Sequence, residues 1–169
     1  MNISVLGCGR WGSFISWYLV REGHTVTEWG TAGNRSFEVL KTTGRNEYVE
    51  LDPRINLTSD LGYALSVSEI IIISISSQGL RGFMERITEF PVQDKTFVLC
   101  MKGLEQDTGK RLSEIMRESG IASDKIAVWV GPGHIQAFTQ GKPNCMVIDS
   151  ENKELVKKLC DGLRSDLIR

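Results

Sequence analysis

The sequence predicts a doubly wound α/β fold, a mainly parallel sheet with helices on both faces, formed as a single domain over residues 1–169. Three observations predict it. Short apolar or β-branched runs alternate with segments of helical periodicity along the whole chain. Some runs, above all Ile70-Ile71-Ile72-Ile73, are apolar at successive positions, as in strands covered on both faces. The first run passes through closely spaced glycines into an amphipathic segment, the beginning of a β–α–β unit.

Six strands are expected: Ile3 to Leu6, His24 to Trp29, Glu69 to Ile75, Thr96 to Met101, Ile126 to Val130 and Cys145 to Ile148. Between the first two, Trp11, Phe14, Ile15, Tyr18 and Leu19 follow the spacing of one apolar helix face, and Gly23 ends that helix. Further helices are expected near Asn34 to Leu40, Ser59 to Leu65, Leu80 to Glu89, Thr108 to Ser119, Ile135 to Thr139 and Glu151 to Leu163. Lys41 to Asn56 is polar, contains Pro53 and is read as a surface excursion. After Leu163 no further element is expected before Arg169, so the chain looks cut at a domain boundary.

Composition narrows the function classes. Of the 169 residues, 41% are hydrophobic and 24% charged, enough for one ordinary core. Twenty Lys plus Arg balance 21 Asp plus Glu, a net charge of -1, so no global field favours nucleic acid or an anionic membrane as a partner. The four cysteines lie far apart and form no C-x-x-C pair; neither a disulfide framework nor a metal is expected. The N-terminus lacks the basic and apolar regions of a signal peptide, and a cytoplasmic location is expected.

Gly7-Cys8-Gly9-Arg10-Trp11-Gly12 matches G-x-G-x-x-G. Alone that pattern is weak, but here it follows a strand, opens a helix and precedes a second strand within about 30 residues, the context of the Rossmann-type dinucleotide fingerprint. Gly7 would permit the tight turn, Gly9 would let backbone approach a diphosphate, and Gly12 would let helix pack on strand. Free amides and the positive end of the helix would then hold the phosphates. Glu28 stands about 20 residues after the loop, where an acid accepts a hydrogen bond from the ribose 2′-hydroxyl and favours NAD; it is equally readable as a solvent-facing residue at the strand edge. Arg35 is a candidate partner for the 2′-phosphate of NADP, so NAD and NADP both stay open, with a slight lean to NAD.

Ligands of such sheets sit beyond the carboxyl ends of the strands. Ser74 to Gln78, Lys102-Gly103 and Gly131-Pro132-Gly133-His134 should share that rim. Lys102 is the cation placed directly at a strand end, where its ammonium group can hydrogen-bond a carbonyl or phosphate oxygen; it is the first candidate for chemistry, a solvated surface lysine being the alternative. His134 is either a general acid or the polar start of a helix.

Together these segments resemble the N-terminal domain of NAD(P)-dependent glycerol-3-phosphate dehydrogenases. The resemblance is carried by the glycine loop with Trp11, by Gly23-His24, Val26 and Trp29-Gly30, and by Asn46 and Tyr48 ahead of Ile55-Asn56. It continues through Ser59-Asp60-Leu61, Ser77-Gln78 with Leu80-Arg81, Lys102-Gly103-Leu104-Glu105, and Gly131-Pro132-Gly133 with Gly141 and Pro143. It implies that Arg10, Trp11 and Thr31 neighbour the cofactor, that Lys102 touches cofactor and substrate, that Gly131 and Gly133 flank the substrate, and that Ile135 packs by the nicotinamide. The implied reaction is reversible hydride transfer between NAD(P)H and dihydroxyacetone phosphate, giving glycerol 3-phosphate for lipid head groups.

Four positions depart from the family pattern: Thr31 replaces a frequent basic or aromatic residue, Glu28 an apolar one, Gly133 a small polar one and Ser76 a proline. The family's helical C-terminal domain, with its second lysine and its phosphate-gripping groups, would begin beyond Arg169. The chain alone is therefore expected to bind dinucleotide but to turn over poorly, and the resemblance leaves room for a homodimer of a full-length protein. The alternatives are a ketopantoate- or β-hydroxyacid-type reductase domain, against which Lys102-Gly103-Leu104-Glu105 speaks, and a non-catalytic NAD(H)-sensing module.

Overall fold

The structure, a computed structural model, describes residues 1–169. A single seven-stranded sheet runs through it in the order β3-β2-β1-β4-β5-β6-β7. The strands are β1 (Asn2–Leu6), β2 (Thr25–Trp29), β3 (Asn56–Thr58), β4 (Ile70–Ile73), β5 (Thr96–Leu99), β6 (Ile126–Val130) and β7 (Val147–Ser150). All pairings are parallel except β6 with β7. The chain leaves β1 for one half of the sheet and returns at β4 to build the other, so the switch point lies between β1 and β4.

Side chains alternate across a strand, and the two hydrophobic clusters follow that alternation. Ile70 and Ile72 enter one cluster, Ile71 and Ile73 the other, which is why β4 is apolar throughout. On the first face, α1 (Arg10–Arg21) contributes Phe14, Ile15, Tyr18 and Leu19, α6 (Ile135–Thr139) contributes Phe138, and α7 (Lys153–Leu163) contributes Leu155, Leu159 and Leu163. The opposite face is covered by α3 (Leu61–Ser66), α4 (Leu80–Ile87) and α5 (Leu112–Glu118). The remaining helix, α2 (Arg35–Thr43), packs Phe37 and Leu40 against Cys8 beside the glycine loop.

The structure adds to or corrects the sequence reading at four places. A seventh strand, β3, starts at the last residue of the expected excursion and pairs along the outer side of β2. The last strand lies two residues later than expected, at Val147–Ser150, and α5 begins at Leu112 instead of Thr108. Beyond α7 the chain does form structure: the Tyr18 hydroxyl donates to Leu163 O at 2.6 Å and meets Ser165 Oγ at 2.9 Å. Residues 167–169 then hydrogen-bond alongside Asn144 and Met146, including a parallel bridge between Asn144 and Ile168. No helix is long and apolar enough to cross a membrane.

Candidate functional site

The carboxyl ends of β1, β2, β4 and β5 open onto one cleft of about 740 Å³. Its floor is the glycine loop. Gly7 adopts φ +121°, and any side chain there would run into the Ser74 carbonyl of the neighbouring strand end. A Cβ at Gly12 would overlap the Gly7 carbonyl oxygen, so the glycine is what lets α1 start directly against the turn. Gly9 is different: space around its missing Cβ is open, and the residue faces the cleft.

Gly9 is also the N-cap of α1, offers no side-chain cap, and no acid stands in the first turn. The first amides of the helix therefore keep their hydrogen-bonding capacity for an anion in the cleft, reinforced by the helix dipole.

From this floor the cleft extends in two directions. On one side lie Trp29, Gly30, Thr31, Asn34, Ser36 and Tyr48. The Arg10 guanidinium donates to Tyr48 Oη at 3.2 Å and lies 5.8 Å from its ring centroid. Asn46 Oδ1 holds Tyr48 in place by accepting from the amides of Tyr48 and Val49 at 2.8 and 3.0 Å. Next to this end is a recess of about 470 Å³ that shares Cys8, Arg10 and Ser36 with the cleft and adds Arg35, Arg45 and one acid, Glu47. None of these three arginines is in an ion pair.

On the other side lie Ser74 to Ser77, Cys100, Met101, Lys102 and the segment Gly133 to Gln136. Lys102 Nζ donates to Gly131 O at 2.7 Å, bridging the ends of β5 and β6. Its loop is fastened from below. Gln78 Nε2 donates to Leu104 O at 2.9 Å and Gln78 Oε1 accepts from the Gln106 amide at 2.8 Å. Arg81 grips both carboxylate oxygens of Glu105, at 2.7 and 2.8 Å, and Thr108 donates to the same carboxylate. The Arg81 and Thr108 hydrogen bonds hold the Glu105 carboxyl down to about 2.

The residues expected at the cofactor, Gly7, Gly9, Arg10, Trp11, Thr31, Lys102 and Ile135, thus line one cleft, with Gly12 packed beneath them. Of those expected at the substrate, Lys102 and Gly133 line the cleft, while Gly131 contributes its carbonyl to Lys102 and packs against Cys145 and Met146. His134 lines the cleft as N-cap of α6, its carbonyl accepting from Ala137 and Phe138. Nowhere do three His, Cys, Asp or Glu side chains gather as metal ligands.

Glu28 does not reach the ribose end. It is fully buried beneath α1, where Oε1 accepts from Ser13 Oγ at 2.8 Å and Oε2 has no partner. Both expectations for it, a ribose acceptor and a solvent-facing strand edge, are corrected, and the lean to NAD loses its basis. Burial pushes the Glu28 carboxyl up to about 7, with Ser13 and Ser16 offsetting part of the effect.

The comparisons with known proteins agree with this geometry. The family model for the NAD-dependent glycerol-3-phosphate dehydrogenase N-terminus matches residues 2–156. Glycerol-3-phosphate dehydrogenase [NAD(P)+] of Thermoanaerobacter sp. (strain X514) is 34% identical over 173 residues, covering 100% of this chain and 51% of the relative. The corresponding protein of Chlorobium limicola is 27% identical, covering 100% and 52%. The chain thus spans about half the length of the curated relatives it matches.

Among solved structures, glycerol-3-phosphate dehydrogenase of Coxiella burnetii superposes with a TM-score of 0.85 at 22% identity, over 99% of this chain and 52% of that one. That of Plasmodium falciparum gives 0.85 at 18%, over 100% and 51%. An imine reductase of Bacillus cereus still reaches 0.70 at 15%, so the superpositions speak for the fold alone. The family match rests on sequence, and by it this chain belongs to the NAD-dependent glycerol-3-phosphate dehydrogenase N-terminal family.

Proposed function

We propose that this chain is the dinucleotide-binding half of a glycerol-3-phosphate dehydrogenase, acting on dihydroxyacetone phosphate and glycerol 3-phosphate with NAD(P)(H). One observation carries the proposal: the uncapped start of α1, with Gly9 facing open space, and Lys102 belong to the same cleft. The glycine loop and first turn of α1 hold the diphosphate; Arg10, Trp11 and Thr31 border the adenosine side; Ile135 packs by the nicotinamide. The bound dinucleotide supplies or accepts the hydride. Lys102, anchored through Gly131 O, presents an ammonium group to the substrate oxygen and opposes the charge that grows there on reduction. Gly131 and Gly133 flank the substrate on the β6 side.

The groups that grip the substrate phosphate belong, in this proposal, to a helical domain outside residues 1–169, since the relatives are about twice as long. The isolated chain should then bind NAD(P)H but oxidise it with dihydroxyacetone phosphate at least about a hundredfold more slowly than a full-length relative, because orientation is incomplete. A steady-state assay comparing the two checks this; relative-like turnover by the chain alone would refute the division of labour.

The arginine-lined recess favours a 2′-phosphorylated dinucleotide. A phosphate there would meet Arg35, whose planar fork suits it, with Arg10 and Arg45 on the same recess. Arg35→Gln should weaken NADPH binding about tenfold, the worth of one charge-assisted hydrogen bond, and leave NADH within about twofold. Titration calorimetry with both cofactors decides: an unchanged NADPH affinity would remove Arg35 from cofactor choice.

A further inference from the structure

We propose that Glu28 couples dinucleotide binding to the uptake of a proton, so that affinity for the cofactor falls as pH rises. The inference rests on the function proposed above and concerns a residue outside the cleft. Glu28 is fully buried in β2, level with Val5 on β1 and Leu57 on β3. Its carboxyl points at the first two turns of α1, where Ser13 donates to Oε1 at 2.8 Å. Oε2 and the Ser16 hydroxyl, one turn further along the same helix face, both lack a hydrogen-bond partner. The Ser13 and Ser16 hydroxyls can donate to an ionised carboxylate and offset part of its cost, yet the charge stays buried in a dry interior.

No cation compensates that charge. Glu28 takes part in no ion pair, β1 and β3 present apolar partners, and α1 presents Ser13 and Ser16. The titratable neighbour is Cys8 in the glycine loop, and burial together with Glu28 holds its thiol up at about 11, so it stays neutral near pH 7. What favours the ionised carboxylate is the positive end of α1 and the hydroxyls on its first turns.

That same helix end is where the diphosphate would bind. Ser13 joins the two sites: its amide donates to Gly9 O at 3.0 Å, and its hydroxyl, bonded to Glu28, also lies 3.4 Å from Cys8 O. A diphosphate arriving at the loop competes with Glu28 for the helix dipole, adds negative charge across a dry interior and displaces screening water. Each effect favours the protonated carboxyl. Linkage is reciprocal, so a protonated Glu28 favours the dinucleotide to the same degree.

NADH is the probe of choice, because it lacks the 2′-phosphate, a group that itself titrates near pH 6. Calorimetric titration of the chain with NADH at about pH 7.5, in two buffers of contrasting ionisation enthalpy, reads the protons taken up per dinucleotide bound. Wild type is expected to take up a substantial fraction of a proton. Its affinity should fall about tenfold between roughly pH 6 and pH 9, the change that accompanies a one-unit rise of the Glu28 pKa on binding. Glu28→Gln, which keeps the shape, and Glu28→Leu, which removes both oxygens, should each abolish the uptake and flatten the profile. Binding without uptake in wild type, or equal uptake in the variants, overturns the coupling and leaves the proposed function standing. Absence of NADH binding by wild type overturns both.

Discussion

Glu28→Gln should stabilise the free domain by about 3 kcal/mol above about pH 8 and by almost nothing below about pH 4.5. The carboxyl moves from 4.5 in an unfolded chain to about 7 in the fold, chiefly through burial. A carboxyl raised on folding binds its proton more tightly in the native state, so native stability falls as pH rises from 4.5 through 7, and the loss is complete once the folded group has ionised. Glutamine keeps the size and a hydrogen-bonding partner for Ser13 without the charge. Urea unfolding of both proteins at acid and alkaline pH measures the difference. An equal change at both ends, or none at the alkaline end, would show that the carboxyl is not held as a buried, unpaired group.

Gly12→Ala is expected to be more damaging than its single carbon indicates. The added Cβ would overlap a backbone carbonyl, Gly7 O, which has no side-chain freedom with which to yield. To make room, α1 must lift from the turn, and α1 carries Phe14, Ile15, Tyr18 and Leu19 into the larger core cluster. Overpacking against backbone in so close a contact should cost at least about 3 kcal/mol. The same displacement moves the first helical amides away from the cleft, so dinucleotide binding should be lost even where the variant remains folded. Denaturant midpoints and NADH titration together test this; a variant with a wild-type midpoint would mean that the helix has slack at its start.

The parts of the fold that sequence displayed are those in which a local pattern and a global constraint coincide. The helical spacing of Trp11 to Leu19 and the unbroken isoleucines of β4 each have one arrangement that buries them, and both recur in the structure. β3 escaped because Asn56-Leu57-Thr58 is a three-residue edge, too short for its alternation to stand out; pairing with β2 makes it a strand. The closing tail, residues 164–169, is likewise defined by partners at Asn144 and Met146 and not by periodicity.

At the site, the rim residues were legible because strand ends are positions along the chain. Which face a strand residue takes is a matter of parity, and there Glu28 misled. It stands two residues after Val26, which enters the core under α1, so Glu28 faces the same helix. The signal was available in Ser13 and Ser16, two polar residues buried on the inner side of α1. Tyr48 was visible as a family-like residue but not as a cleft residue, since its reach to Arg10 depends on the turn built by Asn46.

In the proposed function the glycine loop and the start of α1 hold the diphosphate of a nicotinamide dinucleotide, and Gly9 is the position at which a substitution probes that contact. Its surroundings leave room for a side chain in the free protein, and its backbone, with φ −75° and ψ −176°, is one that any residue adopts. Gly9→Val should therefore fold with a near wild-type denaturant midpoint while its side chain fills the space over the helix end. Calorimetric titration with NADH and NADPH should show binding to wild type and an affinity at least about a hundredfold weaker for the variant. Equal affinity in the two folded proteins would place the dinucleotide elsewhere and contradict the account.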